Sequence, residues 1–193
     1  MIPFRNLLAA ELRKTVSTRA AKALLAAALA LTVAAEAVPL VFTHDVTQNR
    51  ASCLTWAALG LTRLLPIVLL MAMTAEWSQR TALTTFTLEP RRSRVLTAKI
   101  AAGLIIATAC GLFALAAGEV TASVSRHIAG GQDWPELLGF ALFIVATSAI
   151  GIAVGAALPN TAAAIVTYFA VGAAANLLMI PALERAGQWV NTG

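Results

Sequence analysis

Charge is scarce in this 193-residue chain: only 12% of its residues are Asp, Glu, Lys or Arg, where a soluble domain carries about a quarter. That deficit argues against a water-soluble globular domain. Aromatic residues are also few, at 6%, with a single tyrosine. There are two cysteines, Cys53 and Cys110. One is expected near the outer surface and the other mid-membrane, so a disulfide between them is not expected, and neither has metal-ligand neighbours. The two histidines, His44 and His127, fall in polar loops and none falls in an apolar block. Intramembrane metalloproteases and rhomboid-like proteases need His, Ser or Asp groups within the membrane, so that chemistry is not expected here. Two solvated loop histidines explain the pair better than an external metal site. No G-x-x-x-x-G-K-S/T, H-E-x-x-H, C-x-x-C or G-x-S-x-G occurs, so the chain lacks a phosphate-cradling loop and the usual hydrolase signatures. We expect no enzyme activity, catalytic residue, metal or cofactor in this chain.

What is present is apolar sequence in long blocks: 59% hydrophobic residues and a mean hydropathy of +0.80. A helix needs roughly 20 apolar residues to cross a hydrocarbon core. The blocks predict an all-α, polytopic transmembrane helical bundle forming one domain over residues 1–193, with spans at about 23–42, 53–75, 96–117, 137–158 and 161–180. Pro159-Asn160 reads as a tight turn, and Pro181 as the stop of the fifth span. Residues 3–19 differ. Phe4, Leu7, Leu8, Leu12 and Val16 recur at helical spacing, with Arg5, Glu11, Arg13 and Lys14 on the other side. That pattern predicts an amphipathic helix lying on an anionic lipid surface.

The net charge of +5 reads as membrane topology rather than nucleic-acid binding. Ten Lys or Arg residues precede the first span or lie between the second and third. Only Arg50, Arg126 and Arg185 fall on the opposite side. The positive-inside rule then puts the N-terminus in the cytoplasm. Trp56, Trp77, Trp134 and Trp189 all fall at span ends, where indole prefers to sit.

Within the spans, Glu36, Arg63 and Glu119 lie at similar depth. Arg63 paired with Glu36 or Glu119 would make an outer gate. The alternative is an interfacial Arg63 at the start of a shorter second span. Tyr168 and Asn176 are polar groups on the fifth span, suited to interhelical hydrogen bonds or to cargo contact. Gly151 and Gly155 form a small-xxx-small pair that lets backbones approach, although such pairs are frequent in Ala/Gly-rich spans.

The stretch between the second and third spans, residues 77–94 and their flanks, is the most informative. Glu76 stands at the membrane exit. A short helix is predicted at about Gln79 to Leu88, with Leu83, Phe86 and Leu88 apolar. Pro90 ends it. Arg91, Arg92 and Arg94 hold the return at the headgroups, and Lys99 opens the next span. Together with Glu11-Leu12-Arg13-Lys14 in the N-terminal helix, Glu76 to Thr81, Pro90 to Arg94 and Ala98-Lys99, this resembles the type-2 permease family of ATP-binding-cassette transporters. The likeness runs through nearly the whole chain in span order, and its specific part covers about thirty residues. Two departures stand out: the family has six spans where five are found here, and Arg80 replaces a customary glycine.

The resemblance implies a permease subunit of an exporter that works with a separate ATP-binding-cassette ATPase subunit carrying the Mg-ATP. It also implies a second permease copy, either identical or a close paralogue. It assigns the cytoplasmic helix the role of seating in that ATPase, through Gln79, Arg80, Thr81, Leu83, Thr84, Phe86 and Leu88, with Leu83 and Phe86 buried. A non-transporting membrane scaffold or sensor subunit that binds a cytoplasmic ATPase is the alternative.

Overall fold

The computed structural model describes residues 3–42, 48–78, 91–124, 128–129 and 134–191. The expected coupling helix, Gln79 to Leu88, lies outside these residues. The described helices are α1 (Phe4–Ser17), α2 (Arg19–Phe42), α3 (Arg50–Ser78), α4 (Arg92–Val124), α5 (Trp134–Ala157) and α6 (Thr161–Asn191). Gln48–Asn49 (β1) and Ile128–Ala129 (β2) pair in parallel, joining the α2–α3 and α4–α5 connections.

Each junction between helices has a local cause. Pro3 O accepts from Asn6 N at 3.0 Å and Leu7 N at 3.2 Å, so Pro3, which has no N–H of its own to satisfy, stands as the N-cap of α1. Thr18 is extended (φ −72°, ψ 145°) and breaks the helical path after Ser17. Its hydroxyl accepts from Ala21 N at 3.1 Å, so the residue that ends α1 also caps α2. The expected turn at Pro159-Asn160 is observed. Asn160 Oδ1 accepts from Ala162 N at 3.0 Å and Ala163 N at 3.4 Å, capping α6.

Among the described residues, four helices are long and apolar enough to cross a membrane, over Arg19–Val38, Thr55–Trp77, Ser93–Thr121 and Trp134–Ala157. They match the first four expected spans. The helices continue beyond the apolar blocks because backbone hydrogen bonding does not stop where the side chains turn polar. The fifth expected span needs correction at its end. Pro181 does not stop the helix, which runs on to Asn191. Proline is tolerated inside membrane helices where local adjustment satisfies the freed carbonyl. The described apolar stretch there, Thr161–Ala175, is shorter than the four spans.

α3 is the centre of the bundle and touches all five other helices. Leu61, Leu65, Leu69, Leu70 and Val68 are fully buried on it. Large apolar side chains face outward elsewhere, among them Leu112, Phe143, Val166 and Leu177. In water such a surface would aggregate, whereas lipid accommodates it.

Two helix contacts are close enough to require glycine. A Cβ at Gly151 would stand 2.7 Å from Pro66 O, and one at Gly155 would stand 2.8 Å from Leu70 O. The Gly151/Gly155 pair therefore seats α5 directly on the backbone of α3. Gly60 does the same for α2, its absent Cβ falling 2.7 Å from Thr32 N.

Candidate functional site

Four charged side chains from three helices meet at the end of the bundle that carries α1. Glu11 and Lys14 come from α1, Glu76 from the last turn of α3 and Lys99 from α4. Lys14 Nζ lies 3.2 Å from Glu11 Oε1 and 2.9 Å from Glu76 Oε1. Lys99 Nζ lies 3.2 Å from Glu11 Oε2 and 3.3 Å from Glu76 Oε1. Each lysine thus bridges both carboxylates and the four charges close into a neutral ring. Lys99 also donates to Ala72 O at 3.4 Å.

Glu11 and Glu76 are buried, at 4% and 5% exposure, while the Lys14 side chain is half exposed. Burial opposes the charge on Lys14, but the hydrogen bond and charge of Glu76, with those of Glu11, outweigh it and raise its pKa. A cavity of about 160 Å³ adjoins the ring, lined by Thr18, Met71 and Thr161 as well as by the four charged residues. At its edge Thr74 Oγ1 and Thr161 Oγ1 share a hydrogen bond of 2.8 Å, which ties the start of α6 to α3.

This arrangement corrects the expected face of α1. Glu11 was expected on the solvated basic side, yet the buried stripe is Leu7, Glu11 and Thr15, one turn apart. Phe4 and Val16, expected on the apolar face, are exposed. The reason is that α1 packs on α4, where Lys99 supplies a partner for Glu11. The missed signal was a carboxylate at helical spacing from Leu7 and Thr15 in a chain with so few charges.

The other expected site residues fall as follows. Glu76 and Lys99 belong to the ring. Arg91 is exposed, Arg94 is partly buried, and the Arg92 side chain lies outside the described part. Gln79, Arg80, Thr81, Leu83, Thr84, Phe86 and Leu88 lie outside the described residues. The Glu36–Arg63 pair is not formed: both Glu36 carboxylate oxygens are buried without a hydrogen-bond partner. Arg63 is exposed and lies close enough to Tyr168 for its charge to act there. Glu119 is exposed on α4. The Asn176 side chain lies outside the described part.

Tyr168 makes an interhelical contact whose origin is a proline. Pro66 sits inside α3 and has no N–H, so the carbonyl four residues earlier loses its helical donor. That carbonyl is Thr62 O, and Tyr168 Oη donates to it at 3.1 Å. Tyr168→Phe should therefore lower stability by about 1–3 kcal/mol, the cost of leaving that carbonyl unsatisfied. Thermal unfolding of the purified chain, followed by tryptophan fluorescence, measures it. The loss should shrink in a Pro66→Ala background, where an N–H again reaches Thr62 O. An equal loss in both backgrounds would remove this account of Tyr168.

Comparison with protein-family models, curated proteins and solved structures finds no match to this chain.

Proposed function

We propose that this chain is the membrane-spanning permease subunit of an ATP-driven transporter, an exporter of the type-2 permease kind. It works with a second permease copy and with ATPase subunits docked on the cytoplasmic face of a bacterial inner membrane. In this reading α6 provides the fifth span, and the α1 end of the bundle is cytoplasmic. Mg-ATP belongs to the partner, for which this chain supplies a seat.

The observation that carries the reading is the ring of charges. Glu11 and Lys14, Glu76 and Lys99 come from three separate segments that bear the family resemblance, and they converge in one place. The segment that would take the motor follows α3 in the chain soon after Glu76 and precedes Arg91, two turns before Lys99. In this reading a displacement of that segment reaches α1 through the two lysines that Glu76 binds. Packed and ion-paired contacts carry such a displacement because they have little slack.

The test uses the full-length tagged chain, isolated from its native membranes in mild detergent. Mg-dependent ATPase activity should co-purify with it. Replacing Leu83 and Phe86 together by Asp should abolish that activity while leaving membrane insertion intact. Undiminished co-purifying activity in the well-inserted double variant would overturn the proposal.

A further inference from the structure

Glu36 is a carboxylic side chain held inside the membrane bundle, and among the described residues nothing balances a charge on it. It is 1% exposed, and neither oxygen has a hydrogen-bond partner. It lies on the inward face of α2, one turn beyond Thr32, which is fully buried and whose own hydroxyl donates to Ala28 O at 2.9 Å. That face is pressed against two helices. Gly60 of α3 meets the backbone at Thr32, and a Cβ at Gly118 of α4 would stand 3.7 Å from Glu36 Oε1.

Among the described side chains, the charged groups on the packed helices do not offset it. On α3, Arg63 is exposed and lies near Tyr168. On α4, Glu119 follows Gly118 and is exposed, and it would add a charge of the same sign. On α1, Glu11 and Lys14 belong to the charge ring at the opposite end of α2.

We propose that Glu36 is a proton-binding site within the membrane. An ionised carboxylate cannot stay in that position unpaired, since an isolated buried charge is far costlier than a buried neutral acid. The burial of both oxygens therefore selects the neutral acid, and loss of the proton requires water or a cation to reach the carboxylate. The inference is independent of the permease reading and survives its failure.

Infrared spectroscopy of the full-length chain in lipid vesicles tests it. At neutral pH the wild type should show a free-acid carbonyl band above the amide I region. Glu36→Gln should lose that band, and in the wild type it should fade as pH is raised. Glu36→Gln, which is neutral and similar in shape, should unfold at a temperature close to that of the wild type. Absence of the band at neutral pH would overturn the proposal. So would its loss on adding sodium or potassium at fixed pH, which would make the ligand a metal cation. A markedly lowered unfolding temperature for Glu36→Gln would also overturn it, because the native carboxylate would then have a cationic partner.

Discussion

Lys99→Met is expected to lower the stability of the chain by about 3–5 kcal/mol, the typical cost of removing one member of a buried ion pair. The ring contains two carboxylates and two ammonium groups, and removing Lys99 leaves a net negative charge beside two buried glutamates. Lys14 cannot make up the difference. It already binds both carboxylates, and half of its side chain is in solvent, where charge interactions are screened. Lys14→Met should accordingly cost less than Lys99→Met. Adding Glu76→Gln to Lys99→Met should recover part of the loss, since the double variant restores neutrality. Unfolding of the purified variants, followed by tryptophan fluorescence, orders the three. Equal losses for Lys14→Met and Lys99→Met would show that burial does not govern the ring.

Substitution at Gly151 or Gly155 should be more damaging than composition alone suggests. The contacts that an added Cβ would make are to the α3 backbone: Pro66 O at 2.7 Å and Pro66 Cα at 2.9 Å for Gly151, Leu70 O at 2.8 Å and Leu70 Cα at 2.9 Å for Gly155. Backbone cannot rotate away as a side-chain tip can. Even alanine must push the helices apart, at a cost of about 1–3 kcal/mol for overpacking. Leucine at either position should prevent α5 from docking, with loss of the folded species in size-exclusion chromatography. Gly139 and Gly172 serve as controls, because an added Cβ there meets nothing within 4 Å. Alanine at those two positions should be neutral or stabilise by about 0.5–1 kcal/mol through helix propensity. If Gly151→Ala behaved like Gly139→Ala, the close contact between α3 and α5 would be absent in the protein.

The spans were legible because apolar blocks long enough for a membrane have few alternatives, and the first four were found within a few residues of their helices. The turn at Asn160 was legible because proline and asparagine act locally. Pro181 misled because its effect depends on what satisfies the freed carbonyl, and that is decided by neighbours rather than by sequence. The same limit hid the role of Pro66, whose consequence is repaired by Tyr168, 106 residues from the carbonyl it binds. Glu11 was assigned to solvent because helical periodicity treats a charge as outward-facing. Its burial follows from Lys99 on another helix, and Lys14 likewise finds Glu76 62 residues away. The unpaired state of Glu36 was equally out of reach, since matching depths along two spans do not fix which way each side chain turns.

The glycine-mediated seat between α3 and α5 also determines how the bundle can deform. Two helices that touch main chain to main chain have no compliant layer between them, so they tilt together as a single strut. α1, joined to α2 through the extended residue Thr18, is bound to the α3 side of that strut by the Lys14–Glu76 contact and so follows its tilt.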